Sequence, residues 1–181
     1  MACPHGALPE FRWTLARRRL RNISCWRGDT TRSGNVIGRD KLVAILERHF
    51  GPADFPCEPP VNQDWEELER ALGCSVPAEL KLFLAASVNF DVWPEVLRVS
   101  SRQGDRLGSL ILDVYHQECS DPSWRREMVP FIAHGDGDFS CFSTNPSLHG
   151  SLFVFHHETL HWREIEGGFE GWLQYFINLS A

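Results

Sequence analysis

Met128-Val-Pro-Phe-Ile-Ala-His-Gly-Asp-Gly-Asp-Phe-Ser-Cys-Phe142 is the stretch around which the chain is organised. Two apolar, β-prone runs flank a tight centre of Gly135, Asp136, Gly137 and Asp138. Glycine accepts positive φ and aspartate hydrogen-bonds its own backbone, so the centre reads as a hairpin turn. The strands it joins are expected over about Val129–His134 and Phe139–Ser143. Asp136 and Asp138 also suggest a ligand or metal loop. A calcium loop, however, needs six or more oxygens, and the sequence nearby does not supply them.

The runs on either side follow a simple order. Downstream, Leu152–His156 and Thr159–Ile165 read as a second strand pair turning at His157-Glu158. A last helix is expected from Gly168, because Phe169, Trp172, Leu173, Phe176 and Ile177 fall at i, i+3, i+4, i+7 and i+8. Upstream, Leu110, Leu112 and Val114 alternate with Ile111, Asp113 and Tyr115, the pattern of a half-buried strand. Val96–Ser100 is a shorter strand candidate. Residues 117–127 are polar and suit a loop or a single helical turn.

Three helices are expected ahead of the strands. Asp40 is placed as the cap of the first, with Leu42, Ile45, Leu46 and His49 or Phe50 on one face and Gly51-Pro52 as its stop. Prolines 52, 56, 59 and 60 make residues 51–63 an extended connector. Asp64 and Glu67 resemble a capping box that opens the second helix, with Trp65, Leu68 and Leu72 on one face and Gly73 at its end. Pro77 sits in the first turn of the third, whose buried stripe is Leu80, Phe83 and Leu84. Helices, then a meander of strands, then a closing helix define an α+β fold with an antiparallel-rich sheet of about five or six strands. Phe83, Leu84, Phe169, Trp172 and Leu173 are its expected core.

Charge divides the chain. Of its 181 residues, the first 41 hold nine Arg and Lys against three Asp and Glu, a balance of +6. The remainder hold nine against twenty-one, a balance of −12. Residues 1–39, with Arg17, Arg18, Arg19 and Arg21 and a Gly/Ser/Thr/Arg-rich run from Gly28 to Gly38, read as a basic extension and linker. Residues 40–181 read as the folded domain. An acidic body is a poor partner for nucleic acid, which requires a basic patch, and a good one for a cationic protein. Neither an eighteen-residue apolar run nor an apolar secretory core stands out, so a cytoplasmic protein that does not enter membranes is expected. The six cysteines form no Cys-x-x-Cys pair and read as free thiols.

The sequence offers little to an enzyme. His156, His157, Glu158 and His161 cluster, but in the wrong order and on the wrong element for a His-Glu-x-x-His metalloprotease helix. His157 and His161 could meet across the hairpin and together hold zinc. No Gly-x-Ser-x-Gly elbow, Walker loop or dinucleotide-binding glycine pattern occurs. No catalysis, no cofactor and no metal are therefore expected.

The run Trp65, Glu66, Leu68, Leu72, Gly73, Val76, Pro77, Leu80, Phe83, Leu84 resembles the first signature of the SUKH superfamily, the Smi/Knr-type domain. Val129, Pro130, Phe131, Gly137, Asp138 and Cys141 match its second block. Val154, His156, His157, Glu158, Phe169 and Leu173 match its third. The resemblance covers about residues 60–180. It implies a protein-binding role in one of two forms. Many bacterial members look like immunity proteins that neutralise a polymorphic toxin by direct contact, the toxin often being a nuclease. Others are regulatory scaffolds. For a toxin-binding face, three loops are the expected carriers. They supply Asp91, Trp93 and Glu95, then Asp136 and Asp138, then Glu158, an acidic patch with an aromatic anchor suited to a basic groove.

Overall fold

A computed structural model describes residues 37–54, 56–103 and 108–180. The expectations for the basic extension lie almost wholly outside these residues.

Helix α1 spans Arg39–His49 and buries Leu42 and Leu46 completely. Its N-cap is Gly38, and no side chain caps it. Asp40 is therefore not the cap. It stands inside the first turn, where a carboxylate favours the helix dipole. Ile37, just ahead of the helix, is also buried.

Helix α2 spans Asn62–Leu72, opening two residues earlier than the capping-box reading implies. Asp64 is the third helical residue, and its carboxylate accepts the Val61 N–H at 2.8 Å. That is the acidic half of a capping box; valine at the N-cap has no oxygen for the other half. The helix ends at Gly73, whose φ is 69°. Helix α3 runs Ala78–Ser87, with Pro77 as its N-cap rather than its first helical residue.

The sheet has five strands in the order β1-β2-β3-β4-β5, every neighbour antiparallel. They are β1 Glu95–Val96, β2 Met128–Ala133, β3 Phe139–Ser143, β4 Leu152–His156 and β5 His161–Ile165. The central hairpin is as expected. The register shifts between Pro130 and Ile132. Proline lacks the N–H a regular ladder would use, so a bulge beside it is a natural solution.

Two strand expectations are corrected. Of Val96–Ser100 only Val96 lies in a strand, the two-residue β1, because after Leu97 donates to the Phe131 carbonyl the chain turns to bond Ser109 instead. Leu110–Tyr115 is not a strand. Ile111–Glu118 forms helix α4, which packs on β2 with Ile111 fully buried. Over six residues an alternating pattern also satisfies helical spacing, here through Ile111, Val114 and Tyr115, and only the packing partner selects between them.

Both sheet faces are covered. On one, Val129, Phe131, Phe142, Leu152, Val154 and Ile165 join the helices in a single core. Helix α5, Gly168–Ser180, lays Trp172, Leu173, Phe176 and Ile177 on it. Phe169, expected to be buried with them, is only half-buried at the start of that helix. On the other face Met128, Cys141, Phe153 and Phe155 form a second cluster closed by Trp124. The Trp124 indole donates to the Met128 carbonyl at 3.0 Å, which pins the segment after α4 over the strands. The cysteines among the described residues, Cys57, Cys74, Cys119 and Cys141, are free thiols. No helix among the described residues is long and apolar enough to cross a membrane.

Candidate functional site

Register decides which loops meet. Glu95 pairs with Ala133, Phe139 with Phe155, and His156 with His161. The residues leading into β1, the β2–β3 turn and the β4–β5 turn therefore lie at one end of the sheet. All six candidate contact residues belong to these loops or to their immediate edges.

The hairpin tip is built from its glycines outward. Gly135 and Gly137 have φ of 82° and 93°, values that suit glycine alone among common residues. Asp136 Oδ1 accepts the Asp138 N–H at 3.1 Å, and the His134 N–H donates to the Asp138 carbonyl at 2.9 Å. The Asp138 side chain then reaches across to the next turn. Its Oδ2 lies 2.7 Å from His156 Nδ1, and its Oδ1 accepts the His157 N–H at 2.8 Å and lies 3.1 Å from His157 Nδ1. Burial pushes the Asp138 pKa up, but the donors from His157 and His156 outweigh it and hold the carboxyl below its usual range. Asp136, Asp138, His156, His157, Glu158 and Thr159 line a cleft of about 380 Å³.

The loop into β1 is anchored where the Asp91 N–H donates to the Gly51 carbonyl at 2.8 Å. Pro94 is buried while Trp93 is 60% exposed. The indole thus stands outside the core. Asp91 and Glu95 are exposed and line a separate small cavity of about 90 Å³. Glu95 also accepts the Ser109 N–H at 3.1 Å, so its carboxylate is partly committed to the fold. The structure therefore gathers Asp136, Asp138 and Glu158 in one cleft, and Asp91 and Glu95 in another.

Two features at this end were not legible in the sequence. One is Asp138 as the link between the two turns, eighteen and nineteen residues from its partners. The other is a buried chain beneath the hairpin. The Trp172 indole donates to Ser140 Oγ at 2.9 Å, and Ser140 Oγ lies 2.9 Å from His134 Nε2. Ser140 is fully buried, so this serine–histidine pair is a structural bond rather than an accessible nucleophile. His161, the other histidine of the sequence cluster, sits exposed on β5 opposite His156.

Burial lowers the His134 pKa from its ordinary 6.5, opposed by the charges of Asp136 and Asp138 and reinforced by His156. The folded state therefore favours neutral His134, and the unfolded chain binds more protons near neutrality. The stability this contributes is present above the unfolded value of about 6.5 and is lost as pH falls from there through the lower folded value. Urea midpoints at pH 8 and pH 5.5 should show that loss, and His134→Gln should flatten it. Asp138 acts in a separate window. Its depressed pKa supports the fold above the unfolded carboxylate value near 3.9 and is lost as pH falls further. A His134→Gln variant with the wild-type pH profile would remove His134 from this account.

Helices ahead of an antiparallel meander, a closing helix on the sheet and polar loops gathered at one sheet end define an α+β domain. The chain belongs to the SMI1/KNR4 family (SUKH-1), whose family model matches residues 59–175, from the turn before α2 into α5. A crystal structure of a protein from Pseudomonas syringae pv. tomato superposes with a TM-score of 0.49 at 19% identity, over 65% of this chain and 83% of that one. No curated protein matches.

Proposed function

We propose that this protein is an immunity protein. It binds and neutralises a cognate secreted toxin, a cationic one such as a nuclease, inside the cell that makes it. It catalyses nothing itself. The observation that carries this reading is the end of the sheet just described. Trp93 stands 60% exposed between the carboxylates of Asp91 and Glu95, at the same end as Asp136, Asp138 and Glu158. A rigid sheet holding an aromatic anchor among acids suits a basic groove, since aromatic anchors supply affinity and opposed charges supply speed and selectivity. Membership of the SMI1/KNR4 family supports a protein-binding role in general. The acidic balance of the domain points the same way.

The test is co-expression with the product of the neighbouring gene. Cells making that protein alone should stop growing, and cells making both should recover. Trp93→Ala should weaken the complex by about 2 kcal/mol or more, the range of an interface anchor. Its melting should stay within about 0.5 kcal/mol of wild type, as for a surface change. A partner that is bound without being neutralised would instead favour the regulatory-scaffold reading.

A further inference from the structure

We propose that Asp136, Asp138 and His157 form a binding site for a divalent transition-metal ion of the zinc class. One ligand atom from each of the three lies within 4.8 Å of the others. The Asp138 Oδ1 to His157 Nδ1 distance is 3.1 Å. In a tetrahedral site with metal–ligand bonds of about 2.0–2.1 Å, neighbouring ligand atoms stand roughly 3.4 Å apart. Two of the three ligands are thus already near the edge length such an ion imposes. Asp136 completes the set by rotating an exposed side chain, and the open cleft leaves the fourth position to solvent.

The surroundings of this trio support the arrangement. His156 Nδ1 holds Asp138 Oδ2 at 2.7 Å and leaves Oδ1 turned toward His157, the way an outer partner orients a metal-binding carboxylate. Gly137 lets the imidazole close over the hairpin. A Cβ at that position would lie 2.8 Å from His157 Cγ. The donor set selects the ion. An imidazole with two carboxylates suits zinc, cobalt or nickel, whereas calcium and magnesium require more oxygens than converge here. The ion is an addition to a completed core and is not required for folding.

The test uses the full chain, stripped with a chelator and given metal alone. Calorimetry with Zn²⁺ should give one equivalent, and Co²⁺ should produce the intense visible bands of a tetrahedral site. His157→Ala and Asp136→Ala should each weaken Zn²⁺ binding by at least about tenfold, and His156→Gln by about tenfold. The His157 and Asp136 side chains are both exposed and bond only within and between the two turns, so these variants should stay folded and melt cooperatively within a few degrees of wild type. Absence of stoichiometric Zn²⁺ binding would overturn the proposal. So would binding unchanged in His157→Ala, which would place the ion elsewhere, for example on cysteines, or equal preference for Mg²⁺. No outcome depends on the toxin reading, because no partner is present.

Discussion

Trp172→Ala should destabilise the domain by about 3–5 kcal/mol, the range for deleting a large buried aromatic. Trp172 has no exposed surface, and its ring meets four others. Phe83 lies edge-on at 5.0 Å and Phe131 at 4.9 Å, while Phe176 stacks at 5.1 Å. These contacts join α3, β2 and α5, so a void at this point loosens three elements at once. The indole also donates to Ser140 Oγ at the base of the hairpin. Natural domains hold only about 5–15 kcal/mol in reserve, so this one change removes a large part of it. A fall in Tm of roughly 10 °C or more should follow. Trp172→Phe separates the two contributions. It keeps most of the ring contact, loses the hydrogen bond and should cost distinctly less. A Trp172→Ala protein that melts like wild type would mean that α5 does not dock on the sheet as described.

Charge reversal at the acidic end should abolish protection against the toxin. The residues to change follow from the geometry. Asp138 ties the hairpin to the β4–β5 turn, and Glu95 holds the Ser109 N–H fourteen residues away, so lysine at either would damage the fold, whereas Asp136 accepts only the Asp138 N–H within its own turn. Asp91, Asp136 and Glu158 are exposed and sit on the three separate loops. Replacing all three with lysine removes three negative charges and adds three positive ones, which takes the formal net charge from −6 to zero. Association with a basic partner should slow by about tenfold or more at low salt, because long-range attraction at this face turns to repulsion. The loss should shrink as salt screens the charges. In cells, the triple variant should fail to rescue toxin-expressing cultures while its melting curve stays close to wild type. A folded triple variant that still protects fully would place the interface on another surface.

Elements with strong local chemistry were legible without coordinates. The turn at Gly135–Asp138 demands positive φ and offers only glycine and aspartate to supply it. The α5 stripe repeats for more than two turns, and no strand could bury all of it on one face. Signals of only a few residues failed where two periods overlapped. Leu110–Tyr115 fits strand and helix alike, and its packing against β2 made it a helix. Helix starts also moved, at Asp40 and Asp64, because a carboxylate in the first turn resembles one at the cap.

Local sequence, then, determined the α+β order, the central hairpin, the closing helix and the acidic bias of the domain. Each depends on near neighbours along the chain or on composition. Tertiary structure alone decided that Asp138 serves His156 and His157, that Trp172 reaches Ser140 thirty-two residues away, and that Trp93 faces outward. The site belongs to this second group for a physical reason. Strand register brings together loops that are far apart in sequence, and a register shift of one residue would turn the same side chains to opposite faces.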